Sequence, residues 1–504
     1  MASHVCTASV LGLEAHPLDV ETDTSPGLGA FVIVGLPDTA VQEAKERVRS
    51  AMRHAGFPFP RTRVTVNLAP ADLRKSGTPF DLPIALGIAA VQDAIPQTAL
   101  DGRLFAGELG LDGALRPIHG AIAFALLARS TGARELILPN KNAKEAALVT
   151  GISIVGAPSL RAVLDHLVGT MPLEPEAPRY PALEVTGTKT DFASICGQEQ
   201  AKRAAEIAAA GGHNLLFQGP PGSGKTLLAR SFPSILPHLT ESEMLEATRI
   251  HSVAGTLPST GVICTRPFRA PHHSASTVSL VGGGTIPKPG EISLAHRGVL
   301  FLDEFLEFPR AALESLRQPL EDGLVTVSRA QGTVSFPAKF ILIGAMNPCP
   351  CGFLTDPDQN CVCSPMNIAR YRKRLSGPLL DRIDLTLEVA KVPTQDLTRG
   401  SPSESSIDIR ARVQAARDRQ VRRWEPLGIT TNAELTSSQA GERIHLTPEA
   451  STLLKHAVDR YHLSARAYFR TIKVSMTIAD LGALDQVDVP QVAEALQYRL
   501  DGPI

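Results

Sequence analysis

The chain has 504 residues, too many for one ordinary domain, and at roughly 150 per domain it suggests about three. An apolar fraction of 43% can bury a sizeable core, while 50 Lys plus Arg against 51 Asp plus Glu leave a net charge of −1 and exclude a histone-like polycation, so any nucleic-acid contact must come from local basic patches. No apolar run approaches the ~18–20 residues of a membrane span, no secretory leader is read in the opening Met-Ala-Ser-His-Val-Cys, and seven cysteines do not make a disulfide scaffold, so a cytoplasmic protein without a membrane partner is expected.

In chain order, residues 1–170 read as mixed α/β. Phe31–Gly35 is a buried strand and Asp38–Gly56 an amphipathic helix with Asp38 as its N-cap. Arg63–Leu68 alternates like a strand, Pro83–Val91 is a packed helix, and Glu135–Leu138 is a short strand. Residues 171–190 carry Pro172, Pro175, Pro178 and Pro181 and read as an extended linker. The next block, 191–393, has a helix at Gln198–Ala210, a strand at Asn214–Gln218, a helix at Lys225–Leu236 and strands at Gly298–Leu302 and Phe340–Gly344. Such alternation predicts a parallel sheet covered on both faces. Between Leu316 and Phe340, Val325–Ser328 and Thr333–Phe336 are β-prone runs joined by Arg329-Ala-Gln-Gly332, a hairpin pattern. A second linker is expected at 394–406, and residues 407–504 show no convincing strand and read as a helical domain. Six arginines in Ile407–Trp424 are spread around the helix axis, which predicts a solvated helix.

The sharpest chemical signal is Gly219-Pro220-Pro221-Gly222-Ser223-Gly224-Lys225-Thr226, set between a strand and a helix. Glycines let the backbone turn its N–H groups toward phosphates, Lys225 reaches the β/γ-phosphates, and Thr226 offers its hydroxyl to Mg²⁺. Val299-Leu-Phe-Leu-Asp303-Glu304 is a buried strand that ends in two acids. Asp303 is expected to hold the Mg²⁺ shell through water, and Glu304 to orient or deprotonate the attacking water, which points to hydrolysis of ATP. The next strand ends in Ala-Met-Asn347-Pro, where an amide can bond both the γ-phosphate and the water.

GPPGSGKT, VLFLDE, AMNP and Ser376-Gly-Pro-Leu-Leu-Asp-Arg382-Ile-Asp resemble the AAA+ ATPases of the magnesium-chelatase clade. RPFRAPHHS (Arg266–Ser274), NPCPCG (Asn347–Gly352) and SARAYFR (Ser464–Arg470) narrow the resemblance to the ComM/YifB family of magnesium-chelatase-like proteins, over nearly the whole chain. The resemblance implies an ATP-driven hexameric ring, and a competence member that acts as a DNA branch-migration helicase on single-stranded or branched DNA. By position, Arg382 matches the arginine finger that reaches a neighbouring subunit's γ-phosphate, with pairing to Asp384 as the plain alternative. Arg466 matches the sensor-2 arginine of a C-terminal helical lid, with Arg470 as the other choice. The amino-terminal domain resembles the Lon protease (ribosomal S5-type) α/β domain, with Pro79 where the nucleophilic serine would be and Ile122 in place of the lysine. No Ser–Lys dyad is supplied, so no peptidase is expected.

Cys349-x-Cys351 and Cys361-x-Cys363 flank a nine-residue loop directly after Asn347. They are either a Zn²⁺ site or reduced thiols. Cys6, Cys196 and Cys264 read as small apolar residues. His272 and His273 stand near Arg266 and Arg269 and suggest an interface or phosphate contact, or a structural role. In related motors the hairpin before the sensor strand lines a pore, so Arg329 at its tip is either a DNA-phosphate contact or a solvated residue. The same engine also fits the motor subunit of a metal chelatase, or an ATP-binding scaffold.

Overall fold

The computed structural model describes residues 2–73, 75, 77–178, 190–284, 287–329, 332–392 and 404–500. The chain opens with two long antiparallel strands, β1 (Ser3–Leu11) and β2 (Glu14–Ser25), in a four-stranded sheet with β3 (Ala30–Val34) and β4 (Arg63–Ala69), ordered β1-β2-β4-β3. Helix α1 (Thr39–His54) is capped as expected by Asp38, whose carboxylate accepts the Val41 N–H at 2.9 Å. Helix α2 (Asp81–Val91) is apolar apart from Asp81 and buries residues Asp81–Ala89 in this sheet's core. A second, three-stranded parallel sheet, β5 (Arg103–Phe105), β6 (Glu135–Pro139) and β7 (Ser153–Ala157), alternates with α3 (Ala121–Ser130), α4 (Asn140–Ala146) and α5 (Leu160–Val168). Pro79 stands in the turn before α2, and Ile122 is fully buried on α3.

Residues 171–178 are not a detached polyproline segment. The Leu173 N–H donates to His166 Nδ1 at 2.9 Å, Pro175 bridges to Val155, and Leu173 packs on the core. Pro181 and the linker expected at 394–406, up to residue 403, lie outside the described residues.

The central sheet is parallel throughout, ordered β9-β12-β15-β8-β16, from β8 (Leu215–Gln218), β9 (Phe268–Arg269), β12 (Val299–Leu302), β15 (Ile341–Met346) and β16 (Leu385–Glu388). Three of these strands, β8, β12 and β15, are buried along their whole length, as helices on both faces require. One face packs on α6 (Glu199–Gly211), and α8 (Glu241–Ala254) covers part of the other. Helix α7 (Lys225–Ser231) is shorter than the sequence suggests: Phe232–Ile235 tighten into a 3₁₀ turn at Pro233, which has no N–H to continue the α-ladder. Between β9 and β12 lie a short helix, α9 (Thr277–Val281), and a small hairpin, β10 (Gly282–Gly283) with β11 (Lys288–Pro289). The second hairpin is present as expected. Strands β13 (Leu324–Arg329) and β14 (Gly332–Pro337) pair Arg329 with Gly332, and Ala330 and Gln331 lie outside the described residues. The β1–β2 turn docks on this part of the chain: Leu13 is buried beside Val334, and its carbonyl accepts two bonds from Arg249, at 3.0 and 2.7 Å.

The described residues 404–500 contain no strand, as expected, and fold into helices including α10 (Ser406–Trp424), α11 (Pro448–Tyr461), α12 (Ala465–Leu481) and α13 (Val489–Leu500). The expectation of a solvated α10 is corrected. Ser406, Ile409, Val413, Ala416, Gln420 and Trp424 bury one stripe at helical spacing, and the arginines beside that stripe are committed. Arg412 pairs with Glu206 at 2.6 Å, Arg423 with Asp480 at 2.7 Å, and Arg417 donates to the Ala209 carbonyl at 2.7 Å. Among the described residues no helix is long and apolar enough to cross a membrane.

Candidate functional site: a phosphate loop and a distant arginine cleft

Strand β8 runs straight into the loop Gly219–Gly224, and Gly224 at φ +91° starts α7 from a left-handed conformation that suits glycine. The Lys225 ammonium curls back into the loop, donating to the carbonyls of Gly219 and Pro220 at 2.7 Å each and to Ser223 Oγ at 3.3 Å. Among the described residues no carboxylate pairs with it directly, and burial pulls its pKa down to about 8 against an opposing pull from Asp303. Thr226 Oγ1 donates to Asp303 Oδ2 at 2.9 Å. The two residues expected to share Mg²⁺ are therefore in contact, and a hydroxyl with a carboxylate is the hard oxygen donor set that Mg²⁺ takes.

Asp303 and Glu304 follow β12, and the chain reverses sharply there. Glu304 sits at φ +51°, ψ 46°, while Asp303 Oδ1 accepts the Glu304 N–H at 2.9 Å. Asn347 follows β15, the strand next to β8 in the sheet, so the three motif ends share one edge. Beyond Asn347, the sulfurs of Cys349, Cys351, Cys361 and Cys363 all lie within 4.8 Å of one another, with Cys349 to Cys351 at 3.4 Å, Cys351 to Cys361 at 3.6 Å and Cys349 to Cys361 at 3.7 Å. Tetrahedral Zn–S bonds of ~2.3 Å would separate sulfurs by about 3.8 Å, so the four thiols fit that ion. Backbone N–H groups of Phe353 and Val362 aimed at Cys351 favour its thiolate and draw its pKa to about 6. This loop leans on the phosphate loop: a Cβ at Gly352 would meet Pro221 Cδ at 2.8 Å.

The other two expected groups lie elsewhere. Arg382 is buried and pairs with Glu321 rather than Asp384, while Nη1 donates to the Pro378 carbonyl at 2.6 Å. Arg466, half-exposed, reaches the other oxygen of Glu321 at 3.3 Å. Arg470 takes Asp384, at 3.0 Å. These arginines line a cleft of about 650 Å³ with Asn214, Gly298 and Ile341, which stand at the amino ends of β8, β12 and β15. Lys225, Asp303 and Asn347 stand at the carboxyl ends. Strands of four to six residues separate the two edges by roughly 13–20 Å, so one chain does not bring its own Arg382 or Arg466 to its own phosphate loop.

Other expectations resolve as structure. Arg266 is held by Glu243 at 3.0 Å and by the Arg297 carbonyl at 2.8 Å, and Arg269 by Glu291 at 2.6 Å. These ion pairs give both arginines a structural role. Cys6 is exposed on β1 beside Asp19, not packed as a small apolar residue. Sequence reading missed two partners. Glu321 holds both Arg382 and Arg466, and nothing in LEDGLV marks it. His273 Nδ1 lies 2.8 Å from Glu304 Oε2, a contact that needs β9 to be placed beside β12 before it can be seen.

A parallel sheet with a phosphate loop, paired acids and a polar residue on neighbouring strand ends, followed by a helical domain, defines a AAA+ P-loop protein of the magnesium-chelatase kind. Family models agree: residues 191–397 match "Magnesium chelatase, subunit ChlI", 20–142 match "Subunit ChlI of Mg-chelatase", and 403–499 match "Magnesium chelatase, subunit ChlI C-terminal". The chain is 46% identical to the competence protein ComM of Haemophilus influenzae, over 98% of this chain and 97% of the relative. It is 43% identical to YifB of Escherichia coli, over 99% and 97%. Similarity to the magnesium-chelatase 67 kDa subunit of Chlorobaculum parvum is 29%, over 31% of this chain and 23% of that one. The chain belongs to the ComM/YifB family of magnesium-chelatase-like proteins.

Proposed function

We propose that this protein is an ATP-hydrolysing ring motor that acts on DNA, a branch-migration helicase that promotes integration of DNA in natural transformation or recombination. The observation that carries the reading is the separation of Lys225 from Arg382 and Arg466 across the sheet: a complete ATP site needs the phosphate-loop edge of one subunit and the arginine cleft of the next. The cleft lining includes eight cations against five acids, which suits a polyphosphate arriving from outside. A hexamer is the ring the family resemblance implies. In the assembled site Glu304 takes a proton from water as its oxygen bonds the γ-phosphorus and the β–γ bridging oxygen leaves with ADP. Lys225 and Ser223 bind phosphate, Thr226 and Asp303 hold Mg²⁺, Asn347 orients the water, and Arg382 neutralises developing charge. The four cysteines take Zn²⁺ and brace the phosphate loop. The Lon-like part, 1–170, binds DNA or organises the ring in the cytoplasm and is no peptidase.

DNA enters the reading through full-length likeness to a competence protein and through the β13–β14 hairpin, to which we assign the lining of the ring's pore and, at Arg329, a DNA-phosphate contact. A chelatase motor uses the same engine and its family models match most of this chain, but the similarity to the 67 kDa chelatase subunit spans 31% of this chain, against 98% for the competence protein. The deciding measurement is ATPase rate at fixed salt with no DNA and with single-stranded, duplex and branched DNA. Stimulation by single-stranded or branched DNA is expected, and a rate indifferent to all three overturns the DNA reading.

A further inference from the structure

Gln218 closes strand β8, one residue before the phosphate loop, and its carbonyl accepts the Val389 N–H at 2.6 Å. Its side chain is less well served. Gln218 is 1% exposed, and among the described residues neither Nε2 nor Oε1 has a hydrogen-bond partner. A buried carboxamide unmatched at both ends is costly, and native interiors keep few of them.

Side chains alternate across a strand, so Gln218 shares a face with Leu216, opposite the face that packs on α6. That face borders a cavity of about 70 Å³. Leu306 walls it from the turn after Glu304, Met346 and Asn347 from the end of β15, and Leu380 from the chain just before Arg382. One water needs ~10–15 Å³ on this measure, so the space admits a small molecule. Arg372 also lines it and brings an Nε that is buried without a partner among the described residues. Gly377 lines the cavity and is exposed, so entry is from the outer surface, and none of Gly219–Thr226 is among the described residues of the wall.

The chemistry of these groups narrows the occupant. A primary amide offers an acceptor and a donor side by side, and its complement is an N–H beside a C=O, the edge of a lactam or a second carboxamide. Arg372 Nε is a further donor for that C=O, and Leu306, Met346 and Leu380 suit the apolar body of a flat ring. A carboxylate would leave Gln218 Oε1 facing negative charge, and a hydrocarbon would leave both amide groups unmatched. We propose that this cavity is a binding site for a small neutral lactam or carboxamide, held edge to edge by Gln218, and that its occupant slows hydrolysis through Asn347. The site goes beyond the ATPase reading, and only its effect on rate rests on Asn347 orienting the water.

The test uses the full chain without DNA and 2-pyridone as the probe, with N-methyl-2-pyridone as the analogue that lacks the N–H. Ligand-observed NMR should show saturable binding of 2-pyridone at about millimolar concentration, and binding of the analogue at least about tenfold weaker. Saturating ADP with Mg²⁺ should leave that binding in place. Gln218→Met keeps the length of the side chain without its amide. It should abolish binding, and its melting midpoint should match or exceed that of wild type, because no hydrogen bond is lost. Bound probe should lower the wild-type ATPase kcat by at least about twofold at unchanged KM for ATP, and should not affect Gln218→Met. Absence of saturable binding, equal binding of the two pyridones, or displacement by ADP overturns the site. So does a Gln218→Met protein that melts well below wild type or does not fold, since the amide would then be committed to structure. Binding with kcat unchanged overturns the link through Asn347 and supports the site alone. The binding arms need no turnover, so failure of the ATPase reading is told apart from failure of the site.

Discussion

At the carboxyl ends of β8, β12 and β15 the phosphate-loop lysine is held by neutral groups, whereas at the amino ends of the same strands most cations rest on an acid, although they outnumber the acids there. Among the described residues Lys225 bonds carbonyls and a hydroxyl and no acid, and its pKa is drawn to about 8. Across the sheet, Arg382 and Arg466 share Glu321, Arg470 has Asp384, Arg266 has Glu243, and Lys339 has Glu434 at 2.6 Å. An edge that waits for a ligand's charge tolerates under-compensation, because binding supplies what is missing. In the proposed ring, an edge whose arginines would meet a second subunit holds them on acids until a stronger anion competes.

The largest expected effect separates binding from chemistry at the first edge. Glu304→Gln should retain ATP binding while kcat falls by two orders of magnitude or more, on the order expected when a positioned base is lost. Lys225→Ala should instead weaken ATP binding itself, since that charge meets phosphate in the ground state. Equilibrium binding and single-turnover hydrolysis measured on both variants check the difference. A Lys225→Ala protein that binds ATP as wild type does would remove the under-compensated lysine from the comparison.

The two edges can then be tested against each other. Subunits carrying Arg382→Ala, mixed with subunits carrying Lys225→Ala, form some sites with both groups intact. ATPase activity above the sum of the separate variants is the expected outcome in mixed rings. If verified mixed rings recover nothing, either Arg382 is not the finger or the two edges do not meet between subunits.

The phosphate edge was legible because its residues are consecutive: GPPGSGKT, VLFLDE and AMNP each end a buried strand, and local pattern suffices. The arginine edge was half legible. Arg382 and Arg466 stood out by family resemblance, but Glu321 and Arg470's hold on Asp384 come from segments far apart in the chain, where no spacing rule applies. The amino-terminal sheet shows the same limit. β1 and β2 went unread because Ser3, Thr7, Ser9 and Thr22 are buried on them, so apolar alternation fails where the strands are most enclosed. Helix α10 was found but misjudged, since a stripe that includes Ser406 and Gln420 does not look like a core face.

The cysteine loop tests whether the phosphate edge is braced from outside the sheet. About one Zn²⁺ per chain is expected by elemental analysis of protein purified without added metal, and its removal by a chelator should lower the melting midpoint. Less than about a tenth of an equivalent, in protein never exposed to chelators, removes the ion from the account. A smaller effect is expected at Arg329. Its replacement by alanine should depress DNA stimulation of the ATPase and reduce the salt slope of DNA binding by up to about one contact per engaged subunit. An unaltered slope places DNA elsewhere, with the Lon-like surface next in line.

The smallest effect asks whether under-compensation has a cost where no ligand arrives to relieve it. Glu145 on α4 is buried against Ser252 of α8, away from both edges, and accepts from Asn142 Nδ2 at 2.6 Å. Burial outweighs the hydrogen bonds from Ser252 and Asn142 and raises its pKa from 4.5 to about 7. A raised carboxyl binds its proton more tightly in the folded chain, so its contribution is fully present below about pH 4.5 and is lost as pH rises through about 7. At ~1.4 kcal/mol per unit of separation, Glu145→Gln, which has no proton to lose, should gain stability over wild type across that window and hold the gain above it. Melting midpoints of the two proteins compared at pH 5 and pH 8 should diverge by on the order of 5 °C at the higher pH, with ATPase unaffected because Glu145 touches neither edge. Parallel behaviour at the two pH values would mean that Glu145 is solvated or compensated, and that poor compensation is not what distinguishes a waiting site from a structural one.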